Sequence, residues 1–410
     1  MKVLGGLFLA LALVFTTGLG TADAAYAPPG GAAFNTPRPW GTSAQRYHIV
    51  RTVDTAIRNV PGWSSNEAVA QPVIYISQFL LDDKPSVDAL INASNRGDSV
   101  RVVLDPDIVG HQADRLTWAL NHDNKPDVNG PISSDPKTWG ADESYVLRCT
   151  GSCRGGGGNV HTKFYAFSRT GSVKNVVMVS SSNLNKGGAL NGWNDLYVMR
   201  QRPKTFAKFA EIHAEMTDQT RAGTGLDEVV DGPYTSRFFP MENATKANDP
   251  TMKDLNRIRC HSAFGRTRIN VSMFYWEGTR GAYLASKLIS LARDGCQISV
   301  IYGAPSKAVR LQLRAAAVKH LINVYDSRWD LNGDGAYDVR THEKYVLVKG
   351  TFAGNRSAHL VMTGSQNWVG GSLSKGDEVT LNIALTSAYN SYIRNWGVVR
   401  NHSRRIPQSR

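Results

Sequence analysis

The sequence predicts an α/β protein built from two copies of one domain. In each half of the chain, a strand-like segment, a helix-like segment and a second strand-like segment follow one another. Later in each half come a His-x-Lys motif, a strand ending in [G/S]-S-x-N, and an acidic pair before a further strand. Alternating strands and helices indicate an α/β fold. The shared order spans about 180 to 200 residues, too long and in too few copies for a solenoid, so it indicates an internal duplication.

The strand–helix–strand units are visible in the residue types. The strand segments are rich in Val, Ile, Phe and Tyr, and they are predicted at 72–82, 97–105, 267–278 and 296–303. The helical segments at 86–97 and 282–295 have apolar residues at helical spacing. Ser86 is the expected N-cap of the first helix, and Gly97 and Gly295 are the expected helix stops.

Two His-x-Lys motifs carry the functional signal. His161 and Lys163 lie in "GNVHTKFYAFSR", and His342 and Lys344 lie in "RTHEKYVLVKG". Positions i and i+2 of a strand share a face, so each histidine points the same way as its lysine. One such pair is most often a polar face on an edge strand. Two pairs, each followed by a matching strand end at 180–183 or 364–367, predict half-sites of one active site.

These residue types suit displacement at a phosphodiester. Lysines and asparagines from two half-sites can bind the phosphate oxygens, on which negative charge accumulates during displacement. One histidine can attack phosphorus and form a phosphohistidine, while the other protonates the leaving oxygen and then activates water. Catalysis needs no metal in this scheme, because the lysines supply the positive charge. An acidic residue behind each histidine would fix its tautomer, and Asp195 and Glu378 are the candidates.

The two motifs resemble those of the phospholipase D superfamily, over roughly residues 46–400. The resemblance implies two duplicated domains, each a mixed β-sheet flanked by helices, with the active site at the pseudo-twofold interface. It also implies a phosphodiesterase without a cofactor, with His161 as nucleophile and His342 as general acid. The residues that it implies for phosphate binding are Lys163, Lys344, Asn183 and Asn367, with Ser181 and Ser365 holding the site.

The sequence departs from the superfamily at one motif position. The fuller motif is H-x-K-x4-D, and Ser168 and Lys349 stand where the aspartates are expected. Because that aspartate supports the site rather than reacting, the chemistry is retained in our interpretation. A protein that binds phosphates without catalysis is the alternative. The intact His, Lys and Asn residues of both halves favour the enzyme.

The chain ends predict export and two flanking segments. Lys2, a short apolar run and "ADA" at 22–24 indicate a signal peptide over residues 1–24, with an uncleaved membrane anchor as the alternative. We therefore expect a secreted, extracellular protein. The further divisions are a Pro/Gly-rich extended arm at 25–45, domains at 46–235 and 236–401, and a basic, frayed tail at 402–410.

Four cysteines fit an exported chain with two disulfides. Three connectivities are open, and we expect the local one, Cys149 with Cys153 and Cys260 with Cys296. Zinc is the competing interpretation. The spacing C-x3-C without a second tight pair is a weak zinc signal.

The segment "DLNGDGAYD" at 330–338 resembles a calcium loop. Asp330, Asn332, Asp334 and Asp338 fall at ligand positions 1, 3, 5 and 9. Position 12 is Thr341 rather than glutamate, so an Asx-rich turn is the alternative. A calcium ion here would be structural.

The composition leaves the substrate open between lipid and nucleic acid. The formal net charge is +13, which attracts polyanions. A phospholipid is the first choice of substrate, with transient contact at a membrane surface and a monomeric protein. A nuclease is the second, and a catalytically silent phosphate-binding protein is the third. The sequence contains no G-x-S-x-G, H-E-x-x-H or P-loop motif, which leaves those classes of hydrolase unsupported.

Overall fold

A computed structural model describes residues 26–64, 70–105, 110–121 and 144–407. The predicted signal peptide at 1–24, the first residue of the predicted arm, and residues 408–410 of the tail lie outside the described residues.

The described residues form helices and strands in alternation. The helices are α1 (Ser43–Arg46), α2 (His48–Arg58), α3 (Lys84–Asn95), α4 (His111–Asn121), α5 (Lys186–Asn191), α6 (Pro203–Thr217), α7 (Pro250–Asn256), α8 (Gly278–Arg293), α9 (Lys307–Val318), α10 (Gly371–Ser374) and α11 (Thr386–Asn401). The strands are β1 (Gly31–Phe34), β2 (Val73–Gln78), β3 (Ser99–Leu104), β4 (Tyr145–Arg148), β5 (Lys163–Thr170), β6 (Val173–Ser180), β7 (Gly192–Trp193), β8 (Asp195–Met199), β9 (Asp227–Asp231), β10 (Tyr234–Phe239), β11 (Ile258–Arg259), β12 (His261–Ser262), β13 (Gly265–Arg266), β14 (Arg268–Trp276), β15 (Gln297–Pro305), β16 (Asn323–Asp326), β17 (Arg340–Thr341), β18 (Lys344–Phe352), β19 (Asn355–Gly364), β20 (Glu378–Ile383) and β21 (Arg404–Arg405).

The two large sheets repeat one topology. The first has the order β1-β8-β6-β5-β2-β3-β4, and the second contains β10-β20-β19-β18-β14-β15-β16. In each, three strands are parallel (β2, β3, β4 and β14, β15, β16), and the hairpin that follows is antiparallel. Helices α3 and α8 form the crossovers that parallel neighbours require. The predicted duplication into two mixed α/β domains is confirmed.

Three apolar clusters set the layers. One cluster packs α2, α3 and α4 against the first sheet, and another packs α8 and α9 against the second. The third lies between the sheets and takes side chains from both halves, together with α6 and α11. Its members include Phe164, Phe209, Leu347 and Tyr392, each fully buried. Burial of a side chain of this size contributes about 1.5–3 kcal/mol, so the halves share a core as well as an edge.

The sheets place the domain limits differently from the sequence. Strand β10 pairs with β20, and β9 pairs with β10, so residues 227–235 belong to the second sheet rather than the first. Strand β1 pairs with β8, which makes part of the predicted arm an edge strand of the first sheet. Strand β21 pairs with β16, so the start of the predicted tail is anchored. Local composition gave no sign that β10 pairs with β20, β1 with β8 or β21 with β16, because these pairings form over long range.

The helix caps and disulfides test further expectations. Helix α3 begins at Lys84 with Asp83 as N-cap, so the N-cap predicted at Ser86 is wrong; Ser86 instead donates to Asp54 at 2.6 Å inside the helix. Gly97 and Gly295 lie just after their helices at φ of 91° and 100°, which glycine adopts without strain. The disulfides pair locally as predicted, Cys149–Cys153 and Cys260–Cys296. Within the described residues, the helices are too short or too polar to span a bilayer.

Candidate active site

Each histidine is held by the opposite half of the molecule. The His161 backbone N–H donates to the Asp377 carbonyl at 2.9 Å, and the His342 N–H donates to the Trp193 carbonyl at 2.9 Å. Short parallel pairings surround both bonds, between Val160 and Asp377 and between β17 and β7. The two half-sites therefore meet at the interface between the sheets, as the duplication predicts.

His161 is oriented by a carboxylate from the second half. Its Nδ1 lies 2.9 Å from Glu378 Oε1, and Ser365 donates its hydroxyl to Glu378 Oε2. The Glu378 side chain is only 1% exposed. Burial alone would raise the pKa of this carboxyl, but the charges of His161 and Lys163 hold it below its ordinary value. An ionised Glu378 fixes Nδ1 as the protonated nitrogen and leaves Nε2 free to react.

His342 is oriented by an amide from the first half. Its Nδ1 donates to Asn194 Oδ1 at 2.8 Å, and Ser181 donates to the same oxygen at 3.1 Å. Asp195, predicted to stand behind a histidine, instead accepts hydrogen bonds from Thr363 and from Tyr392 at 2.8 Å. The expected contact between Asp195 and a histidine is therefore absent, and Asp195 joins the two halves within the core.

The sequence spacing explains this correction. Ser181 precedes Asn194 by 13 residues, and Ser365 precedes Glu378 by 13 residues. The backbone hydrogen bonds show the same spacing in both halves. The Ser181 N–H donates to the Asp195 carbonyl, and the Asp195 N–H donates to the Ser181 hydroxyl. Ser365 and Val379 exchange the same two bonds. The residue equivalent to Glu378 is therefore Asn194. The prediction chose Asp195, one residue too far along, because it aligned the two halves by acidic charge rather than by this spacing.

The two lysines lie beside the histidines in matching poses. Lys163 Nζ donates to the His161 carbonyl at 2.9 Å, and Lys344 Nζ donates to the His342 carbonyl. Burial lowers the pKa of Lys163 to about 7 and that of Lys344 well below its ordinary value. A bound phosphate would restore both charges, because an anion favours the protonated ammonium.

An aromatic ring that the sequence analysis missed supports each His-Lys pair. Phe79 lies 5.2 Å from the His161 ring and 5.4 Å from Lys163 Nζ. Phe274 lies 4.5 Å from the His342 ring and 5.3 Å from Lys344 Nζ. The two phenylalanines occupy equivalent positions, because each directly follows the residue that pairs with the motif lysine. That residue is Gln78, paired with Lys163, in the first half and Met273, paired with Lys344, in the second. The shared S-x-F of β2 and β14 is the sequence signal that could have revealed them.

The asparagines of the [G/S]-S-x-N motifs lie at the same strand ends. The residue after each asparagine forms a β-bridge to the segment that carries the supporting phenylalanine. Leu184 bridges Leu81, and Trp368 bridges Trp276. Both Oδ1 atoms are buried without a hydrogen-bond partner among the described residues. Buried polar atoms are normally satisfied, so these amides are available for a ligand. The structure thus brings both His, both Lys and both Asn motifs to one interface.

The pKa values of the two histidines depend on burial and on the charges around them. Burial lowers the pKa of His161, although Glu378 partly opposes this. Burial and then Lys344 lower the pKa of His342 well below its ordinary value, and Lys163 and His161 add to the effect. The half-sites are close enough that the charge of each lysine lowers the pKa of the histidine in the opposite half.

A disulfide-closed loop supports the His161 half. The Asp377 carboxylate accepts the N–H of Cys153 at 2.6 Å and that of Arg154 at 3.2 Å. The loop can approach because a Cβ at Gly155 would lie 1.9 Å from the Lys375 carbonyl. Asp377 also contacts His161 through its carbonyl and precedes Glu378 in the chain. The Cys149–Cys153 loop therefore braces the segment that orients the nucleophile predicted from the motif.

The residues at the two motif departures lie away from this centre. Ser168 accepts the Val73 N–H at 2.8 Å, and Lys349 lies 4.7 Å from the Phe264 ring. Each is five residues along a strand from its motif lysine, about 16 Å at the usual rise. Their identity leaves the His, Lys and Asn arrangement intact.

The predicted calcium loop forms Asx turns. Asp330 accepts the N–H groups of Gly333 and Gly335 at 2.7 and 2.8 Å, and Asp338 accepts that of Leu331 at 2.8 Å. Among the described residues, there is no group of three or more His, Cys, Asp or Glu side chains placed to hold a metal. A structural calcium ion at Asp330, Asn332, Asp334 and Asp338 stays a prediction.

Comparison with known proteins identifies the family. The family model described as "Cardiolipin synthase, PLD-like domain" matches residues 68–217 and 261–396, more than half of the chain. No curated protein matches the sequence significantly.

Solved structures share the fold at low identity. Phosphatidylserine synthase from Haemophilus influenzae has 13% identity and a TM-score of 0.55, with 93% of this chain and 89% of that chain covered. Polyphosphate kinase from Porphyromonas gingivalis has 11% identity and a TM-score of 0.53, with 95% of this chain and 50% of that chain covered, so this chain spans about half the kinase's length. The phospholipase D family member Nuc from Salmonella typhimurium has 16% identity and a TM-score of 0.31, with 43% of this chain and 98% of that chain covered.

Each matched region covers most of one sheet, and each contains one His-x-Lys motif with its S-x-N strand end. By this family match, the chain belongs to the phospholipase D superfamily, whose members act on phosphodiesters.

Proposed function

We propose that this protein is a secreted, metal-independent phosphodiesterase of phospholipase D type, which hydrolyses phospholipids to phosphatidic acid and the free headgroup. The observation that carries the proposal is the pair of opposed His-Lys half-sites, each oriented by the other half of the molecule. Two lysines supply the positive charge, so we expect activity without a divalent ion.

The unequal partners of the histidines support His161 as nucleophile. Attack through Nε2 gives a phosphorylated ring that retains its Nδ1 proton and is cationic. Glu378, ionised and 2.9 Å from Nδ1, stabilises that ring. Asn194 offers His342 no charge, so the imidazolium of His342 is a stronger acid and suits proton donation.

The proposed reaction has two steps. His161 Nε2 forms a bond to phosphorus, the bond from phosphorus to the headgroup oxygen breaks, and His342 gives its proton to that oxygen. His342 then takes a proton from water, the hydroxide forms a bond to phosphorus, and the bond to His161 breaks. Lys163, Lys344, Asn183 and Asn367 would bind the non-bridging oxygens in both steps.

Two observations favour a lipid over other phosphodiesters. The family description names cardiolipin synthase, and one structure of similar fold is a phosphatidylserine synthase. The signal-like first 24 residues fit an enzyme that meets lipid surfaces outside the cell. A nuclease is the second candidate, favoured by the net charge of +13.

The test measures headgroup release from mixed phospholipid vesicles with EDTA present, beside plasmid nicking. The wild type is compared with His161→Ala and His342→Ala, and circular dichroism verifies folding. We expect release that both substitutions abolish. Nicking without headgroup release would replace the lipase with the nuclease, and silence in both assays would support the binding protein.

A further inference from the structure

One cation of the site has no counterpart in the other half. Arg340 precedes His342 by two residues and Lys344 by four, so the three side chains share one face of the extended segment. The opposite face is fully buried at Thr341 and Glu343. At the matching position of the first half stands Asn159, which is uncharged.

Arg340 packs against the aromatic support of His342. Its Cζ lies 5.3 Å from the centroid of Phe274, and the His342 ring lies 4.5 Å from the same centroid. The guanidinium and the imidazole are therefore separated by no more than the sum of these two distances. Its charge also contributes to the lowered pKa of His342.

The Arg340 charge is not balanced by an acid in the described residues. They contain no carboxylate within ion-pair distance of its side chain, and no hydrogen bond from the guanidinium. The acid nearest in sequence, Asp338, pairs with Arg38 at 3.3 Å. Arginine remains charged in proteins, so a half-buried positive charge faces the site without compensation.

The His161 half has an acid near its histidine. Gln78 and Met273 occupy equivalent positions, because each pairs with the motif lysine of its half. On their other side they pair with Leu104 and Tyr302, which are therefore also equivalent. The next residues along the chain, Asp105 and Gly303, correspond to each other in the same way. The Asp105 carboxylate is buried beside His161 and accepts the Val160 N–H at 2.7 Å. The His161 half thus has a buried acid at a position where the His342 half has a glycine.

We propose that Arg340 forms an anion subsite on the His342 side, which binds a second anionic group carried by the leaving alcohol of the substrate. This inference rests on the proposed function, in which His342 protonates the leaving oxygen and so faces the headgroup. The substrate class is then a phospholipid whose headgroup bears a phosphate or a carboxylate. A cationic headgroup such as choline is disfavoured, because it would lie beside an uncompensated guanidinium.

The test uses short-chain lipids as monomers in solution, so that surface charge plays no part. Specificity is the ratio of kcat/KM for dihexanoyl phosphatidylglycerophosphate to that for dihexanoyl phosphatidylglycerol. A second ratio, with dihexanoyl phosphatidylserine in place of the phosphorylated lipid, distinguishes carboxylate from phosphate. Wild type is compared with Arg340→Gln, Arg340→Lys and, as a matched control, Arg356→Gln, whose arginine is exposed on β19.

Arg340→Gln is expected to lower at least one ratio about tenfold or more, as a lost charge-assisted hydrogen bond would. Arg340→Lys should retain part of the preference, and Arg356→Gln all of it. Ratios that are unchanged in Arg340→Gln overturn the proposal.

A binding measurement separates this inference from the proposed function. If the wild type releases headgroups neither from these lipids nor from the mixed vesicles, the lipase is wrong, and calorimetry with methylenediphosphonate and methylphosphonate decides on the subsite. A loss of about tenfold in Arg340→Gln for the diphosphonate alone supports it. Equal affinities of wild type and variant for the diphosphonate overturn it.

Discussion

The His161 and His342 half-sites have the same backbone and different charges. Both histidines donate an N–H across the interface, and both lysines return to the histidine carbonyl. The orienting group is a carboxylate in one half and an amide in the other. The duplication has therefore kept the scaffold and changed the electrostatics.

The difference assigns unlike tasks to like residues. A carboxylate stabilises a cationic ring, which a phosphohistidine with a protonated Nδ1 is. An amide fixes the tautomer without raising basicity, which suits a group that must release a proton.

The histidines should fail in different steps. His161→Ala is expected to lose at least about 10⁴-fold in turnover and to form no phosphoenzyme. His342→Asn should lose about 10²–10⁴-fold in turnover, yet form a phosphoenzyme from a 4-nitrophenyl diester, whose leaving group needs little protonation. The measurement is intact-mass spectrometry after an alkaline quench. Phosphoenzyme in His161→Ala, with none in His342→Asn, would reverse the roles.

Glu378→Gln should make the first half resemble the second. The glutamine can accept from His161 and still contact Ser365, but it removes the charge that opposes the lowered pKa of His161. We expect phosphoenzyme formation to slow about 100-fold. The acid limb of kcat/KM, which reports His161 losing its proton, should move to lower pH. Single-turnover rates across pH test this, and an unmoved limb would separate Glu378 from the nucleophile.

Removing one disulfide should mainly lower stability, and removing the other should mainly lower activity. Cys260 and Cys296 are 36 residues apart, against 4 for Cys149 and Cys153. Loop-closure entropy therefore predicts that Cys260→Ser with Cys296→Ser costs more stability, about 4 kcal/mol. Cys149→Ser with Cys153→Ser should cost less stability but more activity, because that loop binds Asp377 beside His161.

Urea unfolding and headgroup release, measured on both double variants, test the disulfide prediction. Equal losses of activity in folded protein would contradict a supporting role of the Cys149–Cys153 loop.

Removing a site lysine should stabilise the protein. Lys163 has a pKa of about 7 in the folded chain, so folding is penalised below pH 7 and the penalty fades as pH rises towards the ordinary lysine value of 10.5. Lys163→Met should therefore gain about 1 kcal/mol near pH 6 and less at pH 9, while losing activity. Urea unfolding at both pH values measures this, with exposed Lys319→Met as control. A gain that grows with pH would contradict the burial penalty.

The repeated order of motifs was enough to predict the duplicated α/β fold and the residues that meet in the site. His161, Lys163 and Asn183 come from separate places in one half, yet each has its counterpart at the same place in the other. A residue type at a fixed spacing is local information, and two copies make it specific. The signal failed at Asp195, where similarity of charge was preferred to the 13-residue spacing that identifies Asn194.

Strand periodicity and chain spacing limit the elements, the two motifs and the local cysteine pairs directly, so these could be predicted before the fold was known. The tertiary structure was needed to show which half orients which histidine, since the bonds from His161 to Glu378 and from His342 to Asn194 span 217 and 148 residues. It also decided that strands 227–231 and 234–239 join the second sheet, and that Arg340 faces the site without an acid. These features depend on the packing of one sheet against the other, which local propensity does not encode.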